Sequence, residues 1–276
     1  MNKTTFFNKN IFKKATPLFS MLFGVSATVL TFIDVDSLVR IVSFVVIASI
    51  CILGYVYIFL RVNKLERLIL EVNNSTLSIF FGDIFEQEEI KIIPLNEYFD
   101  TTMDEDIISP NTLHGKYIRR LDSTKTLDHE IEKSDHLKEK ILDENSSRKK
   151  GKKIRYKLGT IHKRQKYFLL AFSKFDDQNK AYLTMNEYVQ CLLNMWGEID
   201  TFYNGDTVTI PLLGSGITRM KDNTDITDQE LLEIIIWTFR ISKVKFTYPS
   251  QVRIIIHLDK KDKIDLFKIE GDSYGA

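Results

Sequence analysis

Cysteine is nearly absent from this chain. The 276 residues hold two, Cys51 inside an apolar run and Cys191 inside a helical pattern, and neither their number nor their spacing suits a disulfide framework or a metal site. Both read as small buried hydrophobes in a reducing compartment. Net charge is close to absent as well: 38 Lys plus Arg against 37 Asp plus Glu leave +1. That balance excludes a global pull toward nucleic acid and leaves only local asymmetry to interpret. No stretch resembles a Ser-His-Asp triad, a metal cluster or a positioned carboxylate pair, so no catalytic residue and no metal ligand is assigned, and the chain is expected not to be an enzyme.

Charge is missing altogether from two long stretches. Residues 15–33 are 19 residues without a charged side chain and residues 41–60 are 20 more. At about 1.5 Å per residue, each reaches across the roughly 30 Å hydrocarbon core of a bilayer. Neither shows a polar face, which argues against core helices of a soluble domain. A cleaved signal peptide is the other reading of the first run, and its basic leader allows it. The run is long, however, lacks a clear small-x-small cleavage site, and is followed almost at once by the second. Residues 1–60 are therefore expected to form a two-helix transmembrane hairpin, multi-pass in the cell inner (cytoplasmic) membrane. Lys3, Lys9, Lys13 and Lys14 flank one side and Arg61, Lys64 and Arg67 the other, whereas the connection carries Asp34, Asp36 and Arg40. The positive-inside rule then puts both ends in the cytoplasm. Gly24, Ser26, Ala27, Ser43, Ala48, Ser49 and Gly54 either permit close helix packing or simply face lipid. Residues 61–76 read as a helical connector, with Leu65, Leu68, Ile69 and Val72 on one face, and residues 77–276 as a soluble domain.

In that domain strands and helices alternate, which predicts an α/β fold, a mixed sheet with helices on both faces. Strands are expected at 77–81, 90–95, 154–161, 166–175, 207–211 and 251–258, with a polar turn at 162–165. Helices are expected at 184–203 and 228–242, with a terminal extension at 264–269. The first of these helices opens on a Thr184–Glu187 capping box, and Met185, Tyr188, Leu192, Trp196 and Ile199 recur at helical spacing. That stripe is core. Residues 122–153 are dense in charge and poor in aromatics, which predicts a mobile insertion. The basic end, Ser146 to Lys153, is either a solvated loop or a contact for anionic lipid headgroups; it lacks the interleaved aromatics of a nucleic-acid site.

One stretch carries the strongest hint of chemistry. From Thr207 a β-branched run ends in Pro211 and opens into Gly214-Ser215-Gly216, where two residues without Cβ let backbone N–H groups approach an anion, as a phosphate cradle requires. An ordinary strand-to-loop connection is the plain alternative. Earlier in the chain, Gly82-Asp83-Ile84-Phe85 precedes the strand that ends at Asn96; standing alone it would be a hairpin turn. Between them, Ser109 to Gly115 precedes a helix starting near Lys116, and His114 there either meets a phosphate or sugar or sits in solvent. Ligands of such sheets bind beyond the carboxyl ends of the strands, where Asn96 and Gly214 fall.

The order of these motifs resembles the macro domain, the module that binds ADP-ribose. With an apolar hairpin ahead of it, the chain is similar to the membrane-attached macro-domain effectors of bacterial Thoeris anti-phage defence systems, along residues 92–100, 109–120, 182–200 and 208–219. The resemblance implies that Asp83, beside Ile84, accepts a hydrogen bond from the adenine amino group. It implies a diphosphate loop made of Leu213, Gly214, Ser215, Gly216, Ile217, Thr218 and Arg219, a place for Asn96 near the distal ribose, and His114 with Gly115 in the remaining phosphate loop. Where the family carries an Asn-Ala-Ala-Asn run, this chain reads Pro94-Leu95-Asn96-Glu97, which weakens the case for a hydrolase. No cofactor is implied; the ligand is an ADP-ribose-type nucleotide, such as histidine-ADP-ribose, made from NAD by a TIR-domain partner protein. The implied output is homo-oligomerisation and membrane disruption, with death or arrest of the cell. A membrane-tethered ADP-ribosyl hydrolase and a static ADP-ribose reader are the alternatives.

Overall fold

In the computed structural model, which describes residues 6–7, 9–32, 36–104, 107–247 and 249–273, the chain divides into two compact units, residues 1–68 with 264–276 and residues 69–263. Lys3 and Asp34 lie outside the described residues.

In the first unit α1 (Lys9–Phe32) and α2 (Ser37–Val62) fall where the apolar runs predict helices. Ser37–Val62 spans 26 residues and reaches a mean hydropathy of 2.5, long and apolar enough to cross a membrane. Large apolar side chains on both helices face outward, among them Leu18, Met21, Phe32, Leu38, Ile41 and Phe44. The hydroxyls of Thr16, Ser26, Thr28, Thr31 and Ser49 each donate to the carbonyl four residues back at 2.7–2.8 Å. Each polar group is thereby satisfied within its own helix, as an apolar solvent demands. A Cβ on Gly54 would sit 4.0 Å from Leu18 and Phe19 of α1, whereas one on Gly24 meets nothing; of these two glycines, only Gly54 faces the partner helix. The last helix of the chain, α8 (Leu266–Ser273), belongs to this unit, and its Phe267 is buried with Ile11, Ala15 and Tyr55. The expected terminal extension of the soluble domain is thus a helix packed on α1 and α2.

The predicted helical connector is contradicted: residues 67–72 form a strand, β1 (Arg67–Val72), in which Leu68, Leu70 and Val72 are buried and their neighbours exposed. The period is two, not three to four. Asn73 and Asn74, with φ of 56° and 58°, then turn the chain into β2 (Ser75–Phe81), the pair of left-handed residues a two-residue hairpin requires.

The remaining elements are β3 (Ile90–Asn96), α3 (Leu113–Ile118), α4 (Thr124–Lys133), α5 (Asp135–Lys138), β4 (Ile141–Glu144), β5 (Ile154–Tyr156), β6 (Ile161–Arg164), β7 (Tyr167–Phe175), β8 (Ala181–Leu183), α6 (Met185–Phe202), β9 (Val208–Pro211), β10 (Arg219–Met220), α7 (Asp228–Ser242) and β11 (Val252–Ile256). The sheet runs β1-β2-β11-β9-β3-β7-β8-β10, with β6 on β7. Its five central strands, β2, β11, β9, β3 and β7, are parallel, while β6 and β8 pair antiparallel to β7. Helices cover both faces. Ile93, Leu95, Leu169 and Ala171 pack with Leu127, Ile131 and Leu137 of α4 and α5; the alternate residues Phe168 and Phe172 meet Phe202 and Tyr188 of α6. Both capping boxes, Thr184–Glu187 and Thr227–Glu230, are formed.

Two further expectations are corrected. The charged insertion is ordered, because Leu127 and Ile131 stand one turn apart and, with Leu137, enter the core at no more than 3% exposure. Composition hid three well-placed apolar residues among many charges. The expected strand at 154–161 is two strands separated by Gly159 (φ 90°), and residues 161–164 are the antiparallel β6 rather than a turn, the reversal falling at Gln165 (φ 52°).

Candidate functional site

Because the five central strands run one way, their carboxyl ends gather at one edge: Gly82 follows β2, His257 follows β11, Leu212 follows β9, Asn96 ends β3 and Phe175 ends β7. Between these ends lies a cavity of about 390 Å³, within the range of small-molecule sites. Of the residues singled out from the sequence, Asp83, Ile84, Asn96, His114, Leu213, Gly214, Ser215, Gly216, Ile217 and Thr218 all line it; Gly115 and Arg219 do not.

The loop after β9 is shaped by its carbonyl groups. Leu212 O accepts from Ser215 Oγ at 2.7 Å, Leu213 O from the buried Tyr188 hydroxyl at 2.9 Å and Ser215 O from Lys260 Nζ at 2.8 Å. Among the described residues, the N–H groups of Gly214, Gly216, Ile217 and Thr218 have no acceptor within the protein. Such a run of unpaired N–H groups is a concave anion receptor. Gly214 is required twice over: its φ is +84°, and a Cβ would lie 3.1–3.3 Å from Met220, Leu231 and Tyr188. Gly216 has no positive φ and a Cβ there meets nothing, so the strain expected on substituting it does not arise. Conversely Gly205, at φ +80°, would itself be strained by a side chain.

The other lining groups are largely committed. Asp83 Oδ1 accepts from Phe85 N at 2.9 Å, capping the short 3-10 turn Ile84–Glu86. Asn96 is 1% exposed. Its Nδ2 donates to Asp100 Oδ2 at 2.9 Å, and its Oδ1 accepts from the N–H groups of Tyr98 and Asp100. His114 is buried rather than in solvent; its Nε2 lies 2.9 Å from the Asp100 carbonyl. A carbonyl only accepts, so Nε2 carries the proton and Nδ1 is the ring acceptor. Burial holds its pKa down at about 4, which keeps the imidazole neutral.

Gly115 is a packing glycine: a Cβ would stand 2.3 Å from Ser109 O. Arg219 points outward and pairs with Asp176 at 3.0 Å. The sequence reading missed Lys116, Phe172, His257 and Lys260, which also line the cavity. A positional signal existed for the last two, since both follow the carboxyl end of a central strand.

The predicted mobile loop is pinned. The Arg148 side chain is buried and forks onto Asp100 at 2.7 and 3.1 Å, its guanidinium 3.9 Å above the Tyr98 ring. Lys152 N donates to the same carboxylate at 2.7 Å. Asp100 thus ties the loop to Asn96 through its carboxylate and to His114 through its carbonyl.

Comparison with known proteins identifies the family. Residues 77–257 match the family model described as Thoeris protein ThsA, Macro domain. A Thoeris protein ThsA from Bacillus amyloliquefaciens (strain Y2) is 41% identical over 250 residues, covering 88% of this chain and 83% of that protein. Among solved structures, a mutant of the Oceanobacillus iheyensis macrodomain is similar with a TM-score of 0.48 at 11% identity, over 76% of this chain and 97% of that one. A further mutant of it with ADPR gives 0.47 at 12% identity, over 75% and 97%. The family match over residues 77–257 and the relative that aligns with most of the chain place this protein in the Thoeris ThsA family, with the family's macro domain as its α/β unit.

Proposed function

We propose that the chain is an anti-phage defence effector whose macro domain takes an ADP-ribose-derived nucleotide and whose apolar helices act on the membrane once several chains associate. The observation that carries the nucleotide reading is the β9–β10 loop, in which Gly214, Gly216, Ile217 and Thr218 line the cavity and their N–H groups lack acceptors among the described residues. A diphosphate supplies acceptors of the right charge and number. Asp83 and Ile84, just beyond the end of β2, are assigned to adenine, Asn96 to the distal sugar, and His114 to a phosphate or the sugar. Asn96 takes part as a wall, since its carboxamide is held by Asp100 and two backbone groups; that commitment favours a binder over an ADP-ribosyl hydrolase. The membrane reading is supported by the length and apolarity of α2 and the outward apolar side chains of both helices. The signal itself is assigned to a TIR-domain partner acting on NAD, and the macro domain to the cytoplasm.

Calorimetric titration of the full chain in detergent micelles with ADP-ribose tests the site. Gly216→Val places a side chain where the protein has no atom, and is expected to abolish binding without changing the melting temperature; Gly197→Ala, whose Cβ likewise meets nothing, is the control. Equal affinity in Gly216→Val and the unaltered chain would move the ligand elsewhere. Dye entry into cells making the protein with its signal, compared with a form lacking residues 1–60, tests the output.

A further inference from the structure

We propose that Lys260 and Tyr188 are positioning residues that set the anion-binding loop by holding two of its carbonyl groups. The inference rests on the reading of that loop as a diphosphate site, and concerns how the fold aims its N–H groups.

In a trans peptide the C=O and the following N–H point in opposite directions. Whatever fixes the carbonyl of one residue therefore aims the N–H of the next. Lys260 Nζ holds Ser215 O at 2.8 Å, so the Gly216 N–H is turned away from the lysine. Tyr188 OH holds Leu213 O at 2.9 Å, so the Gly214 N–H is turned away from α6. These are two of the N–H groups that find no acceptor in the protein. The clamps reach the loop from distant parts of the chain, the first turn of α6 and the 3-10 segment Leu258–Lys263. The lysine is itself tethered, with Nζ 3.1 Å from Asp228 Oδ2 in the first turn of α7. Glycines accept many peptide orientations, so a Gly-Ser-Gly loop left to itself would sample N–H directions of little use to an anion. The two clamps remove that freedom before the ligand arrives, which lowers the ordering cost of binding.

A lysine at a phosphate site has an obvious competing role, direct contact by its charge. The two roles make opposite demands. Releasing Lys260 from Asp228 strengthens a direct contact but loosens a clamp. Tyr188 separates them more sharply still, because it is uncharged, fully buried and does not line the cavity.

The experiment measures the affinities of ADP-ribose and of adenosine, which has no phosphate, for the full chain in detergent micelles. Tyr188→Phe, Lys260→Met and Asp228→Asn are each expected to weaken ADP-ribose at least tenfold while adenosine changes less than twofold. A purely structural defect would weaken both ligands together, and that result in Tyr188→Phe would overturn the proposal. So would an unchanged ADP-ribose affinity in Tyr188→Phe, or a tighter one in Asp228→Asn. If the unaltered chain binds adenosine and ADP-ribose equally, the diphosphate reading of the loop fails and the clamp falls with it. Should Lys260→Met not fold, the tyrosine and aspartate variants decide the matter.

Discussion

Arg148 offers the sharpest test of how the charged segment is held. Its side chain is 6% exposed, and the Asp100 carboxylate it faces is 1% exposed. The guanidinium forks onto that carboxylate, reaches Lys152 O and Asn179 Oδ1, and lies over Tyr98. Arg148→Met keeps the stem and deletes every one of these bonds, leaving a buried carboxylate with, among the described residues, Lys152 N and Asn96 Nδ2 as its donors. Removing one partner of a buried pair costs about 3–5 kcal/mol, since the remaining charge is uncompensated. The lower figure corresponds to roughly a hundredfold in an opening equilibrium. Hydrogen–deuterium exchange on the full chain in micelles should therefore show the amides of Arg148 and Lys152, which donate to Asn145 O and Asp100 Oδ1, losing about two orders of magnitude of protection. Those of α6 should keep theirs. Asp100→Asn should do the same from the other side, by facing an NH₂ toward groups that themselves donate. If the amides of Arg148 and Lys152 in the unaltered protein already exchange at the rate of free chain, or Arg148→Met leaves them unchanged, the pinned-loop account is wrong.

Gly214→Ala should cost about 1–3 kcal/mol through its left-handed φ alone, adding the crowding by Met220 and Leu231; a melting temperature equal to that of the unaltered chain would refute the strain. Leu127→Ala, in a segment whose composition suggests a mobile insertion, should lose about 2–5 kcal/mol because the side chain is fully buried. A melting temperature within error of the unaltered protein would restore the loop reading. For His114 the folded pKa, about 4, lies below the ordinary value near 6.5, so on acidification the unfolded chain takes up its proton first. Its contribution is complete above about pH 6.5 and is lost as pH falls toward 4, on the order of 3 kcal/mol in all. His114→Asn should flatten that acid limb of the stability profile, and identical slopes in both proteins would remove His114 from it.

What could be read from the sequence was local. The helices α6 and α7 announce themselves through Thr184–Glu187 and Thr227–Glu230 and through a steady helical period, all set by residues within a few positions of one another. The turn after β9 was visible because Gly214 answers a local backbone need. Strand β1 was misread since Leu65, Leu68, Ile69 and Val72 fit a helical stripe as well as Leu68, Leu70 and Val72 fit a strand; Asn73-Asn74 is what decides between them. Lys260 and Tyr188 escaped because their partners in the loop stand 45 and 25 residues away, a relation only the folded sheet creates. Arg148 escaped for the same reason: in sequence it is one of many lysines and arginines, and only the fold buries it against Asp100.

The chain passes between its two units twice, once inside β1 and once at residues 263–264, directly after the segment that carries Lys260. The first passage is a strand, so it is no helical lever of the kind the sequence suggested. The second leads from a cavity-lining lysine to α8, whose Phe267 packs with Ile11, Ala15 and Tyr55 of the apolar helices, within six to seven residues. Two apolar helices cannot by themselves enclose a water-filled path, so the proposed output requires several chains. A nucleotide drives that association only by binding the assembled state more tightly. A shift from 1:99 to 99:1 takes about 5.5 kcal/mol, which linked sites can share. Linkage is reciprocal, and assembly must then raise nucleotide affinity by the same factor.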